Sequence, residues 1–209
     1  MADAGAVRGL YAITDATLQP ADALLERAEA VLRGGAAVLQ YRDKSQDTPR
    51  RRREAAGLLA LCRDYGALFV VNDDVDLALY VGAPAVHLGR DDAGLRQART
   101  VLPSGTLIGV SCYNSLARAD TLAAAGADYL AFGRAYPSPT KPDAPPVSRD
   151  TLAAAVARYR QPVVAIGGIT PENAQPLVSL GVDAVAVISG VFAAASPERA
   201  AARLAALYH

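Results

Sequence analysis

Eight short apolar runs punctuate the chain, and longer segments with helical spacing separate them. The runs are Leu10 to Ile13, Ala37 to Gln40, Leu68 to Val71, Ala85 to Leu88, Leu107 to Val110, Tyr129 to Phe132, Val163 to Ile166 and Ala184 to Ile188. Most are rich in Val, Ile or aromatic residues, as strands buried on both faces should be. Between them, segments such as 21–33, 52–65, 116–125 and 151–159 repeat Ala, Leu and Arg at helical spacing. A Gly followed by Ala or Val repeatedly precedes a run, as in Gly35-Ala36, Gly66-Ala67, Gly82-Ala83, Gly126-Ala127 and Gly181-Val182. Such a pair fits a helix C-cap that turns directly into the next strand. Eight strand–helix units in 209 residues predict one α/β domain, a (β/α)8 TIM barrel with eight parallel strands. An open doubly wound sheet is the weaker alternative, because no Gly-rich dinucleotide fingerprint follows the first run.

In such a barrel the chemistry gathers at the C-terminal ends of the strands. Here the second run leads into Gln40, Arg42 and Lys44, and the third into Asn72-Asp73-Asp74. The fourth leads through His87-Leu88-Gly89-Arg90 to Asp91-Asp92, and the fifth into Ser111. Beyond the sixth comes Ser138-Pro139-Thr140-Lys141. The seventh ends in Gly167-Gly168 and the eighth in Ser189-Gly190. If the second strand extends to Lys44, alternation puts Gln40, Arg42 and Lys44 on one face and Tyr41 and Asp43 on the other. Two cations and an amide on an apolar strand are costly unless something anionic meets them. The competing reading is that Arg42 and Lys44 are solvated and pair with Asp43.

Two anion sites emerge. Gly167, Gly168, Ser189 and Gly190 stand where barrels commonly bind phosphate through backbone N–H groups and a short helix N-terminus. Arg42, Lys44 and Lys141 combine with Asp73 and Asp92 into a second site, suited to a metal-bound diphosphate, and Asn72 can contact it. Mg²⁺ takes one or two carboxylates, water and phosphate oxygens. Asp74 reads as a helix cap, which leaves Asp73 as the ligand. Two phosphorylated small molecules in one mouth predict group transfer with pyrophosphate leaving, a reaction that metal and cations can drive with little acid–base help.

Composition narrows the rest. Lys+Arg and Asp+Glu both number 21, so nothing in the overall charge points to nucleic acid or a membrane surface. The run Arg50 to Arg53 reads as the solvated first turn of a helix. Cys62 and Cys112 lack a metal-type spacing and read as free thiols in a reducing compartment, Cys62 as a small buried hydrophobe. No signal peptide or membrane-spanning run is evident, so the expected place is the cytoplasm. With only His87 and His209, paired-histidine metal chemistry is excluded, and His87 reads as structural. The segment from Arg134 to Val147 holds five prolines and reads as an active-site loop, expected to close because Lys141 must reach the diphosphate. Monomer and homo-oligomer both stay open.

From Leu10-Tyr11-Ala12-Ile13-Thr14-Asp15 to Ile188-Ser189-Gly190, the chain resembles the thiamine-phosphate synthase family. The matching motifs are Gln-Tyr-Arg-Asp-Lys, Asn-Asp-Asp, His-Leu-Gly-Arg-Asp-Asp, Gly-Val-Ser, Pro-Ser-Pro-Thr-Lys and Ile-Gly-Gly-Ile-Thr. The resemblance implies condensation of 4-amino-5-hydroxymethyl-2-methylpyrimidine diphosphate with a thiazole ethyl phosphate, through a pyrimidine carbocation that the thiazole nitrogen captures. It implies Gln40 at the pyrimidine, and Arg42, Lys44, Asn72, Ser111 and Lys141 on the diphosphate, with Arg42, Lys44, Ser111 and Lys141 catalytic. It implies Asp73 and Asp92 on Mg²⁺, and Ser138, Thr140, Gly168, Ile188 and Ser189 on the thiazole phosphate. The chain departs from the common family pattern at Arg90, Tyr113, Arg134 and Ser138. Two rivals share the barrel: a thiazole tautomerase, and a non-catalytic sensor of a phosphorylated ligand. Retention of the diphosphate set speaks against both.

Overall fold

The computed structural model describes residues 3–19, 22–89, 92–137 and 146–208, apart from the side chains of Asp92 and Ala93. Eight strands follow one another around the barrel: β1 Gly9–Ile13, β2 Val38–Tyr41, β3 Leu68–Asn72, β4 Ala85–Leu88, β5 Leu107–Tyr113, β6 Tyr129–Gly133, β7 Val163–Ile166 and β8 Ala184–Val187. All neighbours pair in parallel, and β8 closes on β1. The helices are α1 Leu24–Arg33, α2 Thr48–Asp64, α3 Val75–Val81, α4 Asp92–Val101, α5 Leu116–Ala124, α6 Arg149–Arg158, α7 Gln175–Val178, α8 Ser189–Phe192 and α9 Pro197–Ala205. This is the (β/α)8 barrel that the apolar runs predict.

Period-two alternation sorts the strand residues into two layers. In β2, Leu39 and Tyr41 pack outward against the helices, while Val38 faces the barrel interior. In β1, Leu10 and Ala12 point outward and Tyr11 and Ile13 inward; in β6, Leu130 and Phe132 point outward and Tyr129 and Ala131 inward. Helix starts carry side-chain caps: Asp47, Asp74, Ser115, Ser148 and Ser196 each accept a backbone N–H from the first turn. Gly82 ends α3 with φ 68°, the left-handed turn that glycine adopts without strain.

Two expectations need correction. The second strand stops at Tyr41, so alternation accounts for Gln40 but not for Arg42 or Lys44. Asp43 pairs with neither; its carboxylate meets Arg50 at 2.8 Å. The arginine run does open a helix: α2 begins at Thr48, so Arg50 and Arg51 fall in its first turn, and Arg52 and Arg53 are exposed. The run is also paired: Arg50 reaches Glu54, Arg51 meets Asp74 at 2.7 Å, and the Arg52 guanidinium lies 4.0 Å from the Tyr80 ring centroid. These cations tie the start of α2 to the loops after β2 and β3. Cys62 and Cys112 are buried thiols outside any disulfide, and burial pushes the Cys62 thiol up to about 12. Among the described residues, no helix is long and apolar enough to cross a membrane.

Candidate active site

All eight strands contribute to one mouth at their C-terminal ends. Its walls include Gln40, Arg42, Lys44, Asn72, Asp73, Ser111, Gly167 and Ile188, all singled out from sequence. Gly168 and Ser189 lie beside the mouth rather than on its lining. Ser138, Thr140, Lys141, Arg90 and the Asp92 side chain lie outside the described residues, as does most of the Pro-rich loop and with it the expected closure.

Arg42 reaches the mouth through contacts that no strand periodicity reports. Its backbone N–H donates to Thr14 Oγ1 at 2.9 Å, and its guanidinium donates to Asp15 Oδ2 at 3.1 Å. Asp15 is itself fixed by the buried Gln19, whose side-chain oxygen accepts the Asp15 N–H at 2.6 Å. Burial alone would raise the Asp15 carboxyl, but hydrogen bonds from Thr17 and the Arg42 guanidinium outweigh it and hold the group below the usual carboxylate range. Asp15 therefore stays charged at neutral pH, and its stabilising contribution is lost only as pH falls through that lowered value. The end of β1 thus aims the cation that follows β2. Lys44 is more exposed and lies further out.

Asp74 does the capping that the sequence suggests, and Asp73 is left to other contacts. Asp74 caps α3 by accepting the Leu77 N–H at 2.8 Å. Asp73 adopts φ 58°, a left-handed conformation that Asp tolerates better than most residues. Its N–H donates to the His87 carbonyl, while its carboxylate accepts from the Gly89 N–H and from the Asn72 amide, all at 2.8 Å. That carboxylate is an exposed hard-oxygen donor at the mouth. It suits Mg²⁺, which needs only one or two carboxylates when phosphate oxygens complete its shell. Among the described residues no group of three or more metal-ligating side chains occurs.

The glycines after β7 and β8 have a packing role beside any ligand role. A Cβ on Gly168 would fall 2.3 Å from the Pro137 carbonyl oxygen, and one on Gly190 would fall 2.4 Å from the Ile169 carbonyl oxygen. Gly168 also takes φ 64°. These residues are small so that neighbouring loops can touch backbone to backbone. The short helix α8 begins at Ser189, directly after the Ile188 cap, as a strand-eight phosphate site would require.

The floor of the mouth holds what sequence reading missed. Gln40 Nε2 donates to Tyr11 Oη at 2.6 Å, and Tyr11 Oη lies 2.8 Å from Tyr129 Oη. Tyr129 Oη lies 3.1 Å from His87 Nδ1, and His87 Nε2 lies 3.0 Å from Ser111 Oγ. Five strands supply this row, one side chain each. Burial pushes both tyrosine hydroxyls well above their ordinary range, so both are neutral phenols. Gly109 makes room for it: a Cβ there would lie 1.9 Å from Tyr129 Cζ. His87, read as structural, lines the mouth. The alternation that places Gln40 inward places Tyr11, His87, Ser111 and Tyr129 inward too, so counting every strand in twos finds the row. Above it, Arg118 on α5 donates to the Ser111 carbonyl at 2.9 Å and to the Gly89 carbonyl at 3.4 Å, bracing the ends of β4 and β5.

The family model for thiamine monophosphate synthase matches residues 10–191, nearly the whole barrel. The chain belongs to the thiamine monophosphate synthase family. It is 55% identical over 206 residues to thiamine-phosphate synthase of Acidithiobacillus ferrooxidans, covering 97% of this chain and 95% of that one. It is 52% identical over 202 residues to the thiamine-phosphate synthase of Thioalkalivibrio sulfidiphilus, covering 97% and 96%. Among solved structures, thiamine phosphate pyrophosphorylase from Pyrococcus furiosus superposes with a TM-score of 0.89 at 37% identity, covering 98% of this chain and 96% of that one. Two of this family member's departures from the common pattern, Tyr113 and Arg134, line the mouth. Tyr113 takes φ 55° and lies under the Arg118 guanidinium, 5.5 Å from its ring centroid.

Proposed function

We propose that the chain makes thiamine phosphate from the aminopyrimidine diphosphate and a thiazole ethyl phosphate, releasing pyrophosphate. One observation carries this reading within the family. Arg42, Lys44 and Asp73 surround a mouth whose floor ends in the Gln40 amide, so a diphosphate wall and a ring-recognising group share one cavity. Gln40 binds the pyrimidine ring and holds its methylene towards the cations. Arg42, preset by Asp15 and Thr14, meets the diphosphate without having to reorganise as the C–O bond stretches. Lys44, Asn72 and Ser111 add donors along the same wall. Asp73 would hold Mg²⁺, which when bound neutralises charge on the departing pyrophosphate. Ile188, Ser189 and the Gly168 loop face the thiazole phosphate, whose ring nitrogen captures the pyrimidine carbocation. The buried thiols outside any disulfide suit a reducing cytoplasm.

Purified protein with both substrates and Mg²⁺ should release pyrophosphate and form thiamine phosphate; absence of product above background would sink the reading. Asp73→Asn is expected to lose about tenfold or more of its activity at limiting Mg²⁺ and to recover part of it at high Mg²⁺. Unchanged turnover at limiting Mg²⁺ would remove Asp73 from the metal site. Calorimetry with the pyrimidine diphosphate, with and without Mg²⁺, separates the rival tautomerase, which should show no metal-dependent binding.

A further inference from the structure

The row across the floor has a direction, and the Gln40 amide sets it by turning its nitrogen towards Tyr11. An amide nitrogen only donates, so the Tyr11 oxygen accepts from Gln40. Tyr11 is 1% exposed and neutral, and its single proton points to its other neighbour, the Tyr129 oxygen. Tyr129, fully buried, passes its own proton towards His87 Nδ1. A ring nitrogen that accepts carries no proton, so His87 is neutral and protonated on Nε2. That N–H donates to Ser111 Oγ, whose own O–H then turns away from the imidazole. At the other end, the Gln40 amide keeps its carbonyl oxygen for the mouth.

We propose that Tyr11, Tyr129 and His87 are positioning residues that lock Gln40 as an acceptor and Ser111 as a donor, so that the mouth selects an N–H-bearing ring at one end and an anion at the other. Reversing every bond would also satisfy the row. It would then offer an NH₂ group at Gln40 and a lone pair at Ser111, wrong at both ends for an aminopyrimidine diphosphate. Neither terminal group can turn without the whole row turning. The selectivity rests on the proposed activity; the histidine tautomer does not, since it follows from the amide nitrogen of Gln40 facing Tyr11.

The chain has two histidines, His87 and His209, so ¹⁵N-histidine labelling with a variant lacking His209 assigns the signals. Ligand-free protein should show a pyridine-type Nδ1 and a pyrrole-type Nε2 for His87. Tyr129→Phe removes the donor to Nδ1 and should move both signals towards the averaged position. The opposite tautomer in the wild type, or an unchanged one in Tyr129→Phe, overturns the proposal. In turnover, the wild type should prefer the 4-amino substrate over its 4-oxo analogue by about 100-fold or more, because the analogue's carbonyl would face the Gln40 oxygen. Tyr129→Phe should reduce that preference about tenfold, and adding Tyr11→Phe should reduce it little further, because both cuts sever the same row. An unchanged preference in Tyr129→Phe overturns the selectivity claim even if the tautomer shifts. If the wild type uses neither pyrimidine, the activity reading fails and the spectra alone judge the row. Should Tyr129→Phe not fold, Tyr11→Phe makes the same cut one bond away.

Discussion

Arg42→Ala should lower kcat/KM for the pyrimidine diphosphate by about 100- to 1,000-fold, the usual cost of removing a preset donor from developing negative charge. The size follows from how Arg42 is held. Its guanidinium is braced by Asp15 at 3.1 Å and its backbone by Thr14, so it meets the leaving group without rearrangement. Asp43→Ala is the informative control, because it alters the neighbouring residue on the other side of the chain. Asp43 is buried, receives the Ser45 N–H at 2.6 Å and meets Arg50 at 2.8 Å. Its loss should cost about 1–3 kcal/mol of stability, since the Arg50 side chain and the Ser45 N–H lose an acceptor. The protein that still folds should keep kcat/KM within about threefold. Steady-state kinetics paired with thermal melts separate the two outcomes. Equal losses of turnover in both variants would mean that the mouth side and the helix side of this segment are not distinct.

Gly109→Ala should be the most damaging single methyl in the barrel. The added Cβ would sit 1.9 Å from Tyr129 Cζ, well inside contact distance. The ring has nowhere to retreat: it is fully buried, stacks on His87 with centroids 5.6 Å apart, and is hydrogen-bonded to both Tyr11 and His87. Overpacking of this kind costs about 3 kcal/mol. In a domain of this size that lowers Tm by roughly 6–12 °C. Activity should fall beyond what unfolding explains, because the displaced ring drags the floor with it. A variant that melts within about 2 °C of the wild type would show that the ring slides aside freely.

Eight short apolar runs, five of them preceded by a Gly-Ala or Gly-Val pair, carried the barrel, because both features are local and recur along the chain. Two-residue alternation also placed Gln40 inward. Beyond Tyr41 the same argument failed as geometry, yet Arg42 and Lys44 still line the mouth, Arg42 because Thr14 and Asp15 hold it there. The partner of Arg42 was not legible. Asp15 is 27 residues away and meets it only because β1 and β2 are neighbours. The hydroxyls around His87 were legible only by counting the neighbouring strands as well, because a lone polar residue in an apolar strand does not by itself say which groups will surround it. Gly168 illustrates the converse. Its identity suggested a ligand role and gave no sign of the close approach to the Pro137 carbonyl that it also makes possible.

The two layers of packing also bear on how such a protein drifts over generations. The apolar cluster between strands and helices contains residues such as Leu10, Leu39, Phe69, Ile108 and Phe132, and it holds the scaffold together without touching the floor. The interior layer, with Tyr11, Val38, Val70 and Tyr129, is a separate cluster. Lineages can therefore exchange inward residues, and so try new ligands, while inheriting a scaffold that is already secure. The row from Gln40 to Ser111 resists that freedom, because its five members come from five strands and make sense only together. Ancestry should show there as residues gained or lost as a set.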